Sequence, residues 1–190
     1  MAVDALEGNG FVLAGGGSRR MGRDKATLAY EGSTLIDRTV QTLVSTGLDV
    51  TVLVRPDQSL VGFPTLEDTR PGSGPLGAIF TALANSNEAI NCFLPCDMPR
   101  VPAVLFATLA AYAADFDVVV PEDSTGRIHH LCAQLGPGCQ PVVEALLDSG
   151  RLRVDGLLDR PELQVKIVKP EEHGMDVRLF RNLNQPGDLV

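Results

Sequence analysis

A glycine-rich segment with clustered basic residues lies near the amino terminus, where residues 13–26 have the sequence LAGGGSRRMGRDKA. Successive glycines let backbone N–H groups approach a ligand closely, because no Cβ stands in the way. Arg and Lys side chains nearby can neutralise the charge of a polyphosphate. These residue types favour phosphate binding. The alternative interpretation is that the glycines form a tight turn and the basic residues form a solvated surface patch.

Two familiar phosphate-binding motifs do not fit this segment. A dinucleotide-binding fingerprint, G-x-G-x-x-G, that starts at Gly15 has Arg20 in place of its third glycine. A P-loop that starts at Gly17 and continues through Gly22 has Arg-Asp at 23–24, where Lys-Ser/Thr is required. The segment therefore predicts a phosphate site of another kind.

The elements that would position this segment alternate between strands and helices. Short apolar runs predict strands at 10–14, 49–54, 89–95 and 117–121. Patterns with helical periodicity predict helices at 34–47, 74–86, 102–114 and 141–150. The less regular second half offers further strands at 131–135, 163–168 and 179–183. The alternation predicts a mostly parallel sheet covered by helices on both faces.

The ends of two predicted helices carry recognisable signals. Thr34 and Asp37 have the spacing of a capping box, and Gly47 suits the end of the same helix. Its apolar face is predicted to consist of Leu35, Ile36, Val40, Leu43 and Val44. Pro75 lies where the first turn of the next helix is expected.

Ligands of open α/β sheets bind beyond the carboxyl ends of the strands. The positions of interest are therefore the glycine-rich segment, Arg55 after the second predicted strand, and Cys96-Asp97 after the third. Asp97 is a candidate Mg²⁺ ligand, since this cation prefers one or two carboxylates together with phosphates and waters. The alternative is a turn carboxylate that precedes Pro99.

Composition narrows the class of protein. The chain has 190 residues, enough for one domain with a substantial core, and a net charge of -8, which disfavours nucleic acid as a partner. Its four cysteines lack metal-ligand spacing and are predicted to be buried thiols in a reducing compartment. We find neither a signal peptide nor a stretch of roughly 20 apolar residues, and expect a cytoplasmic protein with no membrane partner.

Residues 13–26 resemble the signature L-A-G-G-x-S-x-R-M-G-x-D-K of the molybdenum cofactor guanylyltransferases, which attach GMP to molybdopterin. Three later segments, 65–79, 92–102 and 181–189, resemble the family's E-D…G-P-L-x-G, C-D-x-P and N-x-N-T-P-E-D-L regions in the same order. The resemblance implies one nucleotidyltransferase domain over 1–190. Its implied fold is a three-layer, Rossmann-like α/β fold with a mostly parallel sheet and helices on both faces.

The resemblance also implies a reaction in which a phosphate oxygen of molybdopterin attacks the α-phosphorus of GTP and pyrophosphate leaves. Mg²⁺ is the implied cofactor, with Asp97 as its ligand. The implied catalytic residues are Lys25, Arg20 and Asp97. The implied nucleotide-binding residues are Leu13, Ala14, Gly15, Gly16, Lys25, Asp68, Gly74, Pro75, Leu76, Gly77 and Asp97.

Some assignments have structural alternatives. The implied acceptor-site residues are Asn182, Asn184 and His129, although a single histidine is more often structural. Residues 74–77 could simply begin a helix. Arg151 and Arg153 could contact the pterin phosphate or lie in solvent.

The chain departs from the family pattern at two positions. Leu53 stands where some relatives carry Asn near the nucleotide, and His130 replaces a Pro. The alternatives are therefore a CTP-dependent molybdopterin cytidylyltransferase and a non-catalytic GTP-binding relative. The expected partners are GTP and molybdopterin as substrates, with transient contacts to cofactor-delivery proteins or molybdoenzyme chaperones.

Overall fold

The structure, a computed structural model, describes residues 5–15 and 25–180. Its strands are β1 (Asn9–Leu13), β2 (Ala29–Tyr30), β3 (Ser33–Thr34), β4 (Asp49–Val54), β5 (Thr65–Glu67), β6 (Asn91–Pro95), β7 (Val118–Pro121), β8 (Ala133–Leu135) and β9 (Val165–Val168). Its α-helices are α1 (Leu35–Val44), α2 (Gly74–Ala84), α3 (Ala103–Ala110) and α4 (Cys139–Asp148).

Seven strands form one sheet in the order β5-β4-β1-β6-β8-β7-β9. Its neighbours pair in parallel except that β8 is antiparallel to both β6 and β7. The predicted mostly parallel α/β fold is therefore confirmed. A two-stranded antiparallel pair, β2–β3, stands apart from this sheet and was not predicted.

Two apolar clusters cover the two faces of the sheet, because successive strand side chains point to opposite sides. In β1, Val12 belongs to the cluster that contains buried residues of α1 and α3. Its neighbours Phe11 and Leu13 belong to the cluster that contains buried residues of α2 and α4. The helices therefore form a layer on each face, as the alternation of elements predicts.

Local sequence signals explain where the first two helices begin. The Thr34 hydroxyl accepts a hydrogen bond from the Asp37 backbone, and the Asp37 carboxylate accepts one from the Thr34 backbone, which forms the predicted capping box. Pro75 occupies the first turn of α2, also as predicted. One prediction about α1 is wrong: Val44 is 46% exposed, while Thr39 is buried in the core-facing side of the helix.

The carboxyl-terminal part differs from the sequence prediction. Residues 179–180, predicted as part of a strand, belong to the 3₁₀ turn Val177–Phe180, and residues 181–183 lie outside the described part. The four cysteines are all buried with free thiols, as predicted. Within the described ranges, no helix is long and apolar enough to cross a membrane.

Candidate active site

Predicted site residues gather at the carboxyl edge of the sheet. Across neighbouring strands, Asp68 follows β5, Arg55 follows β4, Ala14 and Gly15 follow β1, and Asp97 lies just beyond β6. Adjacent strands are about 4.8 Å apart, so this edge extends over about 14 Å from β5 to β6. The arrangement is the one in which α/β sheets bind ligands.

The loop after β4 holds the start of the glycine-rich segment. The Ala14 N–H donates to the carbonyl of Leu53 at 3.2 Å, and Gln58 Nε2 donates to the Ala14 carbonyl at 3.3 Å. The Arg55 guanidinium donates to the Gly15 carbonyl at 3.4 Å. These side chains therefore fix the backbone from which the glycines begin. Gln58 carries no motif signal, and sequence reasoning missed it.

Asp97 lies beside the end of β1, where the glycine-rich segment begins. The adjacent Cys96 N–H donates to the carbonyl of Leu13 at 3.2 Å, and Asp97 itself is half-buried. Burial raises the pKa of the Cys132 thiol, and the negative charge of Asp97 raises this pKa further. The carboxylate of Asp97 thus lies near the start of β8, and Cys132 stays a neutral thiol.

A Mg²⁺ site at Asp97 fits the donor set that the chain offers. Among residues 5–15 and 25–180, no three His, Cys, Asp or Glu side chains cluster as a cation site made of protein alone. Mg²⁺ commonly takes one or two carboxylates and completes its shell with substrate phosphates and water. One half-buried carboxylate at the carboxyl edge of the sheet meets that requirement.

Asp68 is held in place by its own surroundings. Its N–H donates to the carbonyl of Val54 at 2.8 Å, which continues the pairing of β5 with β4. Its Oδ1 accepts hydrogen bonds from the Arg70 backbone at 2.8 Å and from the Thr81 hydroxyl at 3.3 Å. Within the described ranges, no hydrogen bond to Asp68 Oδ2 occurs, so this oxygen can accept one from a ligand.

Residues 74–77 form the first turn of α2. Gly74 has φ +63°, a conformation that favours glycine, and Pro75 is exposed. The Leu76 side chain is fully buried in the same apolar cluster as Leu53. Any contact of Leu76 with a nucleotide therefore comes from its backbone, and Leu53 is a core residue in this chain.

His129 lies at the same edge of the sheet, next to β7. It is buried, its Nε2 is 2.8 Å from Oδ2 of Asp123, and its ring stacks on Phe180 with centroids 4.0 Å apart. Burial lowers the pKa of His129 although Asp123 opposes the shift, so the neutral ring donates its Nε2–H. Burial acts to raise the pKa of Asp123, but hydrogen bonds from Thr125, His129 and Arg127 outweigh it and lower this pKa.

Several other predicted site residues lie outside the part of the chain that the structure describes. Gly16, Arg20, Asn182 and Asn184 lie outside the described residues, as does the side chain of Lys25. Phe180, whose ring stacks on His129, immediately precedes the segment that contains the two asparagines.

The structure also places the two arginines after α4 and the second histidine, His130. Arg153 is largely exposed and forms an ion pair with Asp155. Arg151 and Arg153 both line a cavity of about 430 Å³. His130 is half-buried, and burial lowers its pKa. Its Nδ1 has no hydrogen-bond partner among the residues described.

Known proteins are similar to this chain in sequence and in fold. The family described as "MobA-like NTP transferase domain" matches residues 10–162. A protein of Mycobacterium tuberculosis named "Probable molybdenum cofactor guanylyltransferase" is 38% identical, covering 100% of this chain and 94% of its own. A protein of Deinococcus radiodurans with the same name is 30% identical, covering 94% and 90%.

A solved structure extends the likeness to the fold. Molybdopterin-guanine dinucleotide biosynthesis protein A of Archaeoglobus fulgidus superposes with a TM-score of 0.78 at 21% identity, covering 97% of this chain and 95% of that one. The glycine-rich segment, Asp68 and Asp97 all fall within the range that the family profile matches. This chain therefore belongs to the MobA-like NTP transferase family.

Proposed function

We propose that this protein is a molybdenum cofactor guanylyltransferase, which transfers GMP from GTP to molybdopterin and releases pyrophosphate. The observation that carries the proposal is the gathering of Asp68, Asp97 and the start of the glycine-rich segment at one edge of the sheet. Relatives with this name match the chain over at least nine-tenths of its length.

In the proposed reaction, a phosphate oxygen of molybdopterin attacks the α-phosphorus of GTP. A new P–O bond forms there, the bond to the oxygen bridging the α- and β-phosphorus breaks, and the electron pair leaves with pyrophosphate. Such chemistry depends on positioning and on neutralising charge, more than on covalent help from protein side chains. The glycines, with Lys25 and Arg20, would hold the triphosphate.

The two carboxylates, Asp68 and Asp97, have different roles in the proposal. Asp97 would hold Mg²⁺, which when bound neutralises the charge that develops on the phosphates. Asp68 would accept a hydrogen bond from the guanine or the ribose of GTP through its Oδ2. His129, Asn182 and Asn184 would belong to the acceptor site, as the resemblance to the family implies.

The direct test is to incubate the protein with molybdopterin, Mg²⁺ and either GTP or CTP, and to measure pyrophosphate and the dinucleotide product. We expect both products with GTP, and neither when molybdopterin is omitted. Equal turnover with CTP would contradict the guanylyl assignment. GTP binding without turnover in the complete mixture would favour a non-catalytic relative. A parallel assay with Mn²⁺ in place of Mg²⁺ tests the identity of the cation.

A further inference from the structure

One buried hydroxyl connects the Asp68 carboxylate to helix α2. Thr81 is fully buried in the second half of α2. Its Oγ1 lies 3.0 Å from the Thr69 amide nitrogen, 2.9 Å from the Thr69 hydroxyl, 3.3 Å from Asp68 Oδ1 and 3.0 Å from the Gly77 carbonyl. Four polar groups therefore surround a single oxygen atom.

The hydrogen-bonding capacity of a hydroxyl explains this arrangement. Thr81 has one proton to donate, and the Gly77 carbonyl and Asp68 Oδ1 share it as acceptors. Its lone pairs accept the Thr69 N–H, and either threonine hydroxyl can donate to the other. Three of the four contacts go to residues 68 and 69. The hydroxyl thus does more than bond back to the preceding turn of its own helix.

The Thr81 hydroxyl adds a second side-chain support for Asp68 to the one that its own turn provides. The Asp68 N–H is bonded to β4, and the Arg70 N–H reaches Oδ1 from the turn that follows. The Thr81 hydroxyl reaches the same oxygen from the helix core, so Oδ1 is held from two directions. Oδ2 accepts no hydrogen bond among the described residues, so it is the oxygen left for a ligand.

We propose that Thr81 is a positioning residue for GTP binding. Its hydroxyl orients the Asp68 carboxylate toward the nucleotide, and Thr81 itself does not contact the nucleotide. The inference rests on the proposed function insofar as Asp68 binds the nucleotide. It adds a residue of the helix interior to the site, which no motif in the sequence indicates.

The test compares GTP affinity, by calorimetry in the presence of Mg²⁺, among wild type, Thr81→Val, Thr81→Ser and Asp68→Asn. Thr81→Val preserves shape and removes the hydroxyl, and we expect it to weaken GTP binding about tenfold. Thr81→Ser keeps the hydroxyl and should remain within about twofold of wild type. In steady state, Thr81→Val should raise KM for GTP and leave kcat nearly unchanged, because the hydroxyl does not face the reacting atoms.

Thr39→Val is the matched control for the loss of a buried helical hydroxyl. Thr39 is also fully buried, but among the described residues its hydroxyl bonds only to the carbonyls of Leu35 and Ile36 in its own helix. Its GTP affinity should therefore equal that of wild type. Thermal unfolding of both valine variants shows whether each is folded at the assay temperature.

A double-mutant cycle links the effect to Asp68. In the Asp68→Asn background, Thr81→Val should have less than half of its effect on affinity, because the carboxylate that it orients is gone. Unchanged GTP affinity in Thr81→Val, or full additivity with Asp68→Asn, would overturn the inference. If wild type binds GTP but makes no dinucleotide, the proposed function fails while this binding test still decides the role of Thr81.

Discussion

Asp97 is the residue on which the proposed chemistry depends most directly. Replacing it with Asn keeps the size of the side chain and removes the charge that a divalent cation requires. We expect Asp97→Asn to lower kcat about 100-fold or more at fixed Mg²⁺, with a smaller change in GTP affinity measured without the cation. Steady-state pyrophosphate release and calorimetry without Mg²⁺ give the two values.

Asp115→Asn is the control for this loss of charge, because Asp115 is exposed and precedes β7, at the opposite edge of the sheet. Its kinetics should match those of wild type. If Asp97→Asn retained wild-type kcat, Asp97 would not be the metal ligand.

His129 makes stability depend on pH in a predictable direction. Its pKa is lowered in the folded protein from an ordinary value of 6.5, so the unfolded chain binds more protons near that pH. The free energy of unfolding should therefore fall as the pH drops below about 6.5, by up to about 1 kcal/mol between pH 7 and 5.5. The lowered pKa of Asp123 affects stability in a more acidic pH range. Its contribution to the free energy of unfolding is present above pH 3.8 and is lost only below that pH.

Urea unfolding of His129→Gln tests this sign, since glutamine can still donate to Asp123 but does not titrate. The variant should lose less stability than wild type between pH 7 and 5.5, whereas exposed His173→Gln should follow wild type. Burial lowers the pKa of His130 as well, so part of the slope will remain in His129→Gln. Identical pH profiles for wild type and His129→Gln would contradict the assignment.

Among the elements, the first turn of α2 packs closely against the turn that follows Asp68. A Cβ on Gly77 would lie 2.7 Å from the Arg70 carbonyl oxygen and 3.0 Å from Ser73 Cβ. Alanine favours helices, but this contact is with backbone and must displace the turn that follows Asp68. We expect Gly77→Ala to lower the free energy of unfolding by about 1–3 kcal/mol and to weaken GTP binding.

Gly156→Ala is the matched substitution at a position with room. A Cβ there would meet Leu146 at 3.6 Å, an ordinary van der Waals contact. Urea unfolding should show Gly156→Ala close to wild type. A Gly77→Ala variant as stable as Gly156→Ala would mean that the turn at 70–73 can move without cost.

The elements that sequence predicts well here are those with a strong local signal. β1, β4 and β6 are apolar runs flanked by polar or glycine residues, and each is found within two residues of its predicted bounds. The direction of β8 is not encoded by its alternation of residues, and β5 and the β2–β3 pair are too short to show a period. β5 and β8 pair with strands that are distant along the chain, whereas β2 and β3 form a local hairpin.

The residues of the candidate site also fall into two groups: those that the sequence identifies and those that only the fold shows. Asp68 and Asp97 carry motif spacing and follow strands, so both could be selected from the sequence. Gln58 and Thr81 could not, because their contacts join residues that are distant along the chain: Gln58 to Ala14 and Thr81 to Asp68. Only the fold brings these pairs together.

At the scale of the whole molecule, one sheet carries both apolar clusters. Strands such as β1 and β6 contribute alternate residues to each, so neither face can lose its packing without loosening the strands that support the other. The chain should therefore unfold as a single cooperative unit, in keeping with the prediction of one domain over 1–190.

Cavity variants on opposite faces test this cooperativity. Leu105 in α3 and Ile79 in α2 are both fully buried, one in each cluster. Leu105→Ala and Ile79→Ala should each lower the free energy of unfolding by about 2–5 kcal/mol, and the urea transition should stay single when followed by far-UV circular dichroism and by tyrosine fluorescence. Because the sheet separates the two sites, the double variant should show the sum of the two losses. A second transition in either single variant would show that the layers unfold separately, and the carboxyl edge that both support would then not be one rigid site.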